Sequence, residues 1–441
     1  MMLGVCYETP ETCDVFSRTK ARMLTPNQDE GTMKKITFLR CIATSFIALL
    51  VTSGFGQGTP ARADLRTLQG FLRLRAPSAN GREQTLLPTG PGWSSNFNFT
   101  PDTALVGHSA VYDAGTNTMI VFGGTDWGMD GFDTSAVLLF APANGDGSWA
   151  TLVANGAPGS PSARDTHTAV YDSANNRMIV FGGEDTNLTP LADVWVLSNA
   201  NGQGGTPVWT QLSPSGSPPP ARSGHTAVYD PANNLMVVFG GANDAQAFND
   251  VWVLSNANGL GGTPAWSRLS PGGTPPKGVL YTSAVYDPSN NVMTVFGGFY
   301  AINVSSVSNG VWTLSHANGL GGTPQWTNIV ANGASGSPAK RGDHTAVYDA
   351  VNNRMMIFGG LAGSGPASIS GFNDVWVLTN ANGMGGTPSW IKLNIAGVKP
   401  GTRGLHTAVY DSANNLMMIF AGDNFDPVYY VVWVLSHANG L

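Results

Sequence analysis

One short string organises this chain. His-Thr-Ala-Val-Tyr-Asp begins at His167, His225, His344 and His406, a variant with Ser begins at His108, and a sixth copy, Thr-Ser-Ala-Val-Tyr-Asp, begins at Thr282. Successive copies stand 57 to 62 residues apart, and with them six units fill the chain from about residue 103 onward. A repeat of this length marks a supersecondary unit that buries its apolar face only by stacking on its neighbours.

Each unit reads alike. After the hexapeptide come a turn such as Ser173-Ala174-Asn175-Asn176 and an apolar run ending in Phe-Gly-Gly, as in Met178 to Gly183. A variable loop then leads to Asp-Val-Trp-Val-Leu, as in Asp193 to Leu197, followed by an Asn/Gly hairpin and a last short piece around a Trp such as Trp209. The four segments are short, rich in Val, Ile, Tyr, Phe, Trp and Thr, and bounded by turn residues, which predicts four strands per unit. The second and third are apolar throughout instead of alternating, so both faces are expected to be buried. Four-stranded sheets packed face to face around an axis satisfy that demand, whereas an open sandwich leaves one face wet. Only 11% of residues are charged, against 56 Gly and 28 Pro. That mix suits short strands and turns and argues against long amphipathic surface helices.

The repeated Phe-Gly-Gly, the spaced Asp-Val-Trp and a Trp ahead of a Pro/Gly/Arg linker resemble the kelch repeat over roughly residues 90–441. The resemblance implies an all-β, six-bladed β-propeller of four-stranded antiparallel blades. The sixth unit reaches Leu441 where units two to five continue into Gly-Gly-Thr-Pro-x-Trp, and an orphan piece of that kind, Thr89 to Phe97, precedes unit one. The N-terminal strand is therefore expected to complete the last blade, with Trp93 in the repeated Trp position, which removes an exposed sheet edge.

The N-terminus reads differently. Residues 1–32 are an expected upstream extension, with Met33 the expected start. Lys34, Lys35 and Arg40 precede the uncharged run Cys41–Val51, which is too short to span a bilayer and fits a secretory signal over residues 33–63. Residues 64–89 read as a spacer carrying Arg66, Arg73, Arg75 and Arg82. Cys6, Cys13 and Cys41 all lie in the part such a signal removes, so an exported chain would rely on packing and not on disulfides. The formal net charge of −6 disfavours nucleic acid as a partner. A secreted monomer without a membrane span or cofactor is expected.

A side chain present in every unit belongs more naturally to the frame than to a catalytic centre. The hexapeptide His residues are expected to tie strands together, and being spread around an axis they suit no shared metal. Asp193, Asp250 and Asp374 are expected to accept hydrogen bonds, and the Trp residues beside them to pack between blades. The arginines three residues before the His, Arg164, Arg222, Arg341 and Arg403, are the candidate ligand-binding residues; Leu105 and Val279 replace them in units one and four. Four arginines around one channel mouth would hold acidic glycans or acidic protein segments, and the resemblance implies this use of the joint. The alternative place for them is within the blades, paired with Asp or capping carbonyls.

The variable loops after Phe-Gly-Gly in units one, four and six mix carboxylates and aromatics and are further candidates for recognition. The functional expectation is a binding or interaction module for a glycan or protein ligand. The alternative is a carbohydrate-active enzyme of the sialic acid mutarotase or epimerase type. Beyond residue 63 the glutamates are Glu83 and Glu184, which leaves Glu184, directly after Gly183, as the candidate base. Copper-radical oxidases of this fold require a Cys–Tyr crosslink, which a chain stripped of its cysteines lacks.

Overall fold

The computed structural model describes residues 90–96, 105–126, 132–145, 147–300, 306–363, 369–423 and 431–441. The expected extension, signal and spacer (1–32, 33–63 and 64–89) lie outside the described residues, as do most of the unit-six loop and the centre of the unit-one loop. Among the described residues every regular element is a strand.

The strands form six four-stranded antiparallel blades in a propeller. Blade two shows the pattern: Thr168–Asp172, Arg177–Phe181, Val194–Ser198 and Val208–Leu212 pair in chain order. The second strands, such as Leu235–Phe239, are buried along their whole length, as their unbroken apolar sequence requires. Blade six takes three strands from residues 407–436 and its fourth from the N-terminus. Gly92–Asn96 pairs antiparallel with Val432–Ser436, with Trp93 opposite Leu435. The expected closure is thus what the fold adopts.

Contacts that recur around the axis join the blades. Each second-strand Phe lies under the fourth-strand Trp of the next blade: Phe122 with Trp209, Phe181 with Trp266, Phe239 with Trp326, Phe296 with Trp390, Phe358 with Trp93 and Phe420 with Trp149, at centroid distances of 4.5–5.3 Å. Such pairs contribute about 0.5–1.5 kcal/mol beyond simple burial. At one end of the channel an Asn from each third-to-fourth-strand hairpin donates to the Asp that ends the previous blade's first strand. These bonds, Asn201 to Asp113, Asn258 to Asp172, Asn318 to Asp230, Asn382 to Asp287, Asn439 to Asp349 and Asn144 to Asp411, span 2.6–3.2 Å. Six apolar clusters fill the six blade interfaces, and Trp93 packs in the one between blades five and six.

The Phe-Gly-Gly signature has a backbone reason. The second Gly N–H of each blade, or that of Gly422 in blade six, donates to a linker carbonyl of the next blade at 2.8–3.1 Å; Gly183 to Arg222 and Gly422 to Leu105 are two of these bonds. A Cβ at Gly183 would stand 2.5 Å from the Asp165 carbonyl oxygen, and the residue is left-handed at φ 91°.

Trp93 makes the closure testable. Trp93→Ala should cost about 3 kcal/mol, the low end of the range for a Trp because this ring is half-buried. Urea denaturation of the full chain measures this, and an unchanged midpoint would contradict the role of the N-terminal strand.

Candidate functional site

The other end of the channel is built by the linkers between blades. Two residues before each hexapeptide position the chain pairs with the residue just after Phe-Gly-Gly: Val106 with Thr125, Asp165 with Glu184, Ser223 with Ala242, Leu280 with Phe299, Gly342 with Leu361 and Gly404 with Asp423. Linkers and variable loops therefore share one face.

The next residue in each linker, Gly107, Thr166, Gly224, Tyr281, Asp343 or Leu405, turns into the left-handed region with φ between 51° and 64°. Each donates its N–H to the carbonyl of its counterpart in the preceding blade, and Gly107 closes the circle on Leu405, at 2.7–3.2 Å. Four of the six are not glycine, in a conformation that costs a non-glycine residue of order 1 kcal/mol or more. The strain is tolerated because this ring of hydrogen bonds leaves the backbone no alternative.

Immediately below lie the imidazoles. His108 contacts Thr407, His167 Ser109, His225 Thr168, His344 Ser283 and His406 Thr345, each through Nε2 at 2.7–2.9 Å from the hydroxyl of the preceding blade. These residues tie strands together, as the sequence suggested. Burial lowers their pKa values, to about 3 for His108, His225 and His344, so the rings are neutral at physiological pH. The circle breaks once, at blade four, where Thr282 instead donates to its own blade's Phe296 carbonyl at 2.9 Å.

These two tiers line an open cavity of about 130 Å³ on the axis, bounded by the six left-handed residues and the six hexapeptide positions. Its backbone is six-fold but its side chains are not. Thr166 and Leu405 depart from it in blades two and six, and at blades four and five Tyr281 and Thr282 stand beside Asp343. Tyr281 stands edge-on to Phe299 at 6.3 Å and packs on a small apolar cluster of Ala242, Leu280, Phe299 and Val307. Asp343 Oδ1 is occluded without a hydrogen-bond partner, and burial pushes its carboxyl up to about 7.

The candidate arginines take a different place from the one a channel mouth requires. Arg164, Arg222, Arg341 and Arg403 are all 0% exposed. Three clamp an Asp of their own blade through two nitrogens: Arg164 on Asp193 at 2.7 and 2.8 Å, Arg222 on Asp250 at 2.7 and 3.1 Å, and Arg341 on Asp374 at 2.6 and 3.3 Å. All four donate to the carbonyl of the first residue after Phe, Gly182, Gly240, Gly359 or Ala421. Arg222 and Arg341 are also covered by the rings of Phe248 and Phe372, at 4.2 and 4.1 Å. These four guanidinium groups lie inside the blades, where solvent does not reach them, and three of them hold an Asp of their own blade.

The same Asp carboxyls accept from the indoles of Trp195, Trp252 and Trp376 at 2.7–2.8 Å. Burial alone would raise their pKa values, but the arginine hydrogen bonds and charge hold them below the usual range. Arg and Asp also vary together in five of the six blades. Blades one and four lack both, with Leu105 and Ala136 in one and Val279 and Gly310 in the other, while blade six keeps Arg403 and has Val431 at the Asp position.

Glu184 lies on the loop face, where it accepts from Ser223 Oγ at 3.3 Å. Of the candidate loops, Thr125, Asp126, Phe132 and Asp133 of unit one, Phe299 and Tyr300 of unit four and Asp423 of unit six are described; Lys277 lies 5.6 Å from the centre of the Tyr300 ring. Among the described residues no group of His, Cys, Asp and Glu is arranged to hold a metal ion. Asp343 and Tyr281 did not stand out in the sequence. The signal that finds them is the column just before the hexapeptide, which reads Gly, Thr, Gly, Tyr, Asp, Leu directly ahead of a His kept in five of six units.

Two predictions follow from this geometry. Arg222→Ala leaves Asp250 buried without its counter-charge and should destabilise by about 3–5 kcal/mol. Adding Asp250→Ala should recover at least half of that, as the paired apolar replacements in blade one suggest; a chemical-denaturation cycle measures both. For Asp343 the folded state holds a proton between pH 4 and about 7 that the unfolded state has released. Stability therefore falls as pH rises through that window and stays lower above it. Asp343→Asn keeps a residue that tolerates positive φ. It should melt about 2 °C above the parent at pH 8 and together with it below pH 4; equal melting at pH 8 would contradict the assignment.

A family model described as the KLHDC2/KLHL20/DRC7 kelch-repeats domain matches residues 107–259 and 260–440. Putative adagio-like protein 2 of Oryza sativa subsp. japonica is 32% identical over 266 residues, covering 57% of this chain and 37% of that protein. Adagio protein 3 of Arabidopsis thaliana is 32% identical over 197 residues, covering 44% and 28%. The chain thus spans about a third of the length of the curated relatives it matches. The solved structure of YjhT aligns with a TM-score of 0.53 at 16% identity, over 77% of this chain and 94% of that one, which is a likeness of fold. With its repeats, its six closed blades and a family match over most of its length, this chain belongs to the kelch-repeat β-propeller family.

Proposed function

We propose that this chain is an exported binding module that takes its ligand at the channel mouth on the loop face. The kelch fold itself supports an interaction role. One observation carries the choice of site. At the mouth the backbone keeps six-fold order while the side chains abandon it, and four non-glycine residues are held left-handed there. Strain of this kind gathers where a protein positions groups for a partner. The basic stretch and apolar run over residues 33–51 support export.

The burial of the four arginines removes the reason to favour an acidic ligand. What the mouth offers is a carboxyl, a phenol and an apolar flank, on a rigid frame bordered by loops that differ between units. Such a surface suits a segment of another protein better than a sulfate-rich or carboxylate-rich glycan.

The test is a screen of the full chain against a displayed peptide library and a glycan array. Each captured ligand is then measured against a double variant, Tyr281→Gly with Leu405→Gly. Glycine preserves the left-handed backbone and deletes the mouth side chains. Affinity should fall at least tenfold, while Val351→Lys, at a 90% exposed position in a hairpin at the opposite end of a blade, should leave it unchanged. Ligands that respond to Val351→Lys and ignore the mouth variant would place recognition elsewhere.

A further inference from the structure

The polar lining of the axial cavity is lopsided in charge. Asp343 is the only acid among its twelve lining residues, and the five imidazoles beside it are neutral. Among the described residues no arginine or lysine lines it. Arg341, two residues before Asp343, is turned into the blade and held by Asp374, and Lys340 is exposed. Among the described residues Asp343 takes part in no ion pair. Its Oδ1 is shut away from solvent and accepts no hydrogen bond. A carboxyl oxygen occluded in this way, on a residue that is itself half-buried, is costly and is seldom kept without a use.

Its surroundings narrow the use. Its neighbours in the backbone ring are Tyr281, whose carbonyl takes the Asp343 N–H at 3.1 Å, and Leu405, whose N–H goes to the Asp343 carbonyl at 3.2 Å. The titratable groups of the cavity around it are His344 in its own blade, His406 in the next, Tyr281 in the one before, and His108, His167 and His225 across the axis. None of these carries positive charge near neutral pH. Tyr281, packed on Phe299, adds an aromatic ring of the kind that attracts cations. The cavity of about 130 Å³ has room for about four waters at ~30 Å³ each, or for the tip of one long side chain.

We propose that the mouth at blades four and five receives one cationic side chain of a polypeptide partner, a lysine ammonium or an arginine guanidinium, with Asp343 as its counter-ion and Tyr281 as its aromatic flank. This deepens the binding reading given above and rests on it. The hydroxyls of Thr166 and Thr282, also in the lining, offer further acceptors. A bound cation favours the ionised carboxylate, so capture strengthens as pH rises through the range in which Asp343 loses its proton.

The experiment uses the full chain and four capped pentapeptides, Gly-Gly-x-Gly-Gly with Lys, Arg, norleucine or Glu at the centre, followed by NMR or calorimetry at pH 8 and pH 5. The Lys or Arg peptide should bind at least tenfold more tightly than the norleucine and Glu peptides at pH 8, and should lose most of that advantage at pH 5. Asp343→Asn should remove the preference at pH 8, whereas Val351→Lys, at the opposite end of its blade, should preserve it. Equal binding of the Glu or norleucine peptide, no binding of either cationic peptide, or an unaltered preference in Asp343→Asn would overturn the proposal. Ligands from the library screen that need the mouth side chains but ignore Asp343→Asn would leave the binding role standing and remove only the cation.

Discussion

Every blade of this propeller depends on the close approach between its own Phe-Gly-Gly and the linker of the next blade. At that seam the second Gly donates across to a linker carbonyl, the Phe ring meets the next blade's Trp and, in all but one blade, its His, and the His reaches back to a hydroxyl. A Cβ on the first Gly would stand 2.7–2.9 Å from a linker carbonyl of the next blade in five blades, so glycine eases the approach, and blade six makes it with Ala421. The same seam repeated around an axis gives a ring with no exposed outer edge at the join, provided the last blade finds a fourth strand. The strand centred on Trp93 supplies it.

The seam also explains where charge goes. A buried guanidinium is tolerable only with its donors satisfied, and Arg222 gives them to Asp250 and to the carbonyls of Gly240 and Pro220. Blades one and four solve the same packing problem with apolar residues, which shows that the ion pair is one way of filling the joint and not a condition of the fold. Asp343 is the opposite case. Its burial opposes ionisation, no described cation answers it, and it sits at the point where the repeat lapses. A charge that the frame satisfies and a charge that the frame leaves unanswered have different uses, and the distinction separates structural arginines from a recognition site.

The blade count, the four strands, the His and Trp roles and the closing strand were legible in the sequence, because each rests on short-range chemistry repeated from unit to unit. A Gly-Gly pair, an apolar run and a turn mean the same thing in every unit, and six copies average away local ambiguity. The direction in which a side chain points is not averaged in this way. The arginines stand one or two residues from the mouth in sequence, and a reading by position alone sends them there. Their path into the blade follows from an acceptor some thirty residues away, on a strand that folding brings alongside. Asp343 shows the converse, since a single variable residue in a linker carries no message until the ring of backbone hydrogen bonds sets it against the cavity.

The sequence by itself thus determined the architecture of this protein and its closure, since periodic burial and turn chemistry admit few other solutions. Only the tertiary structure decided which charges are spent on the frame and which remain for a partner. The reason is physical: whether an ionisable group is satisfied depends on donors and acceptors distant in the chain, and on how much water is left around it.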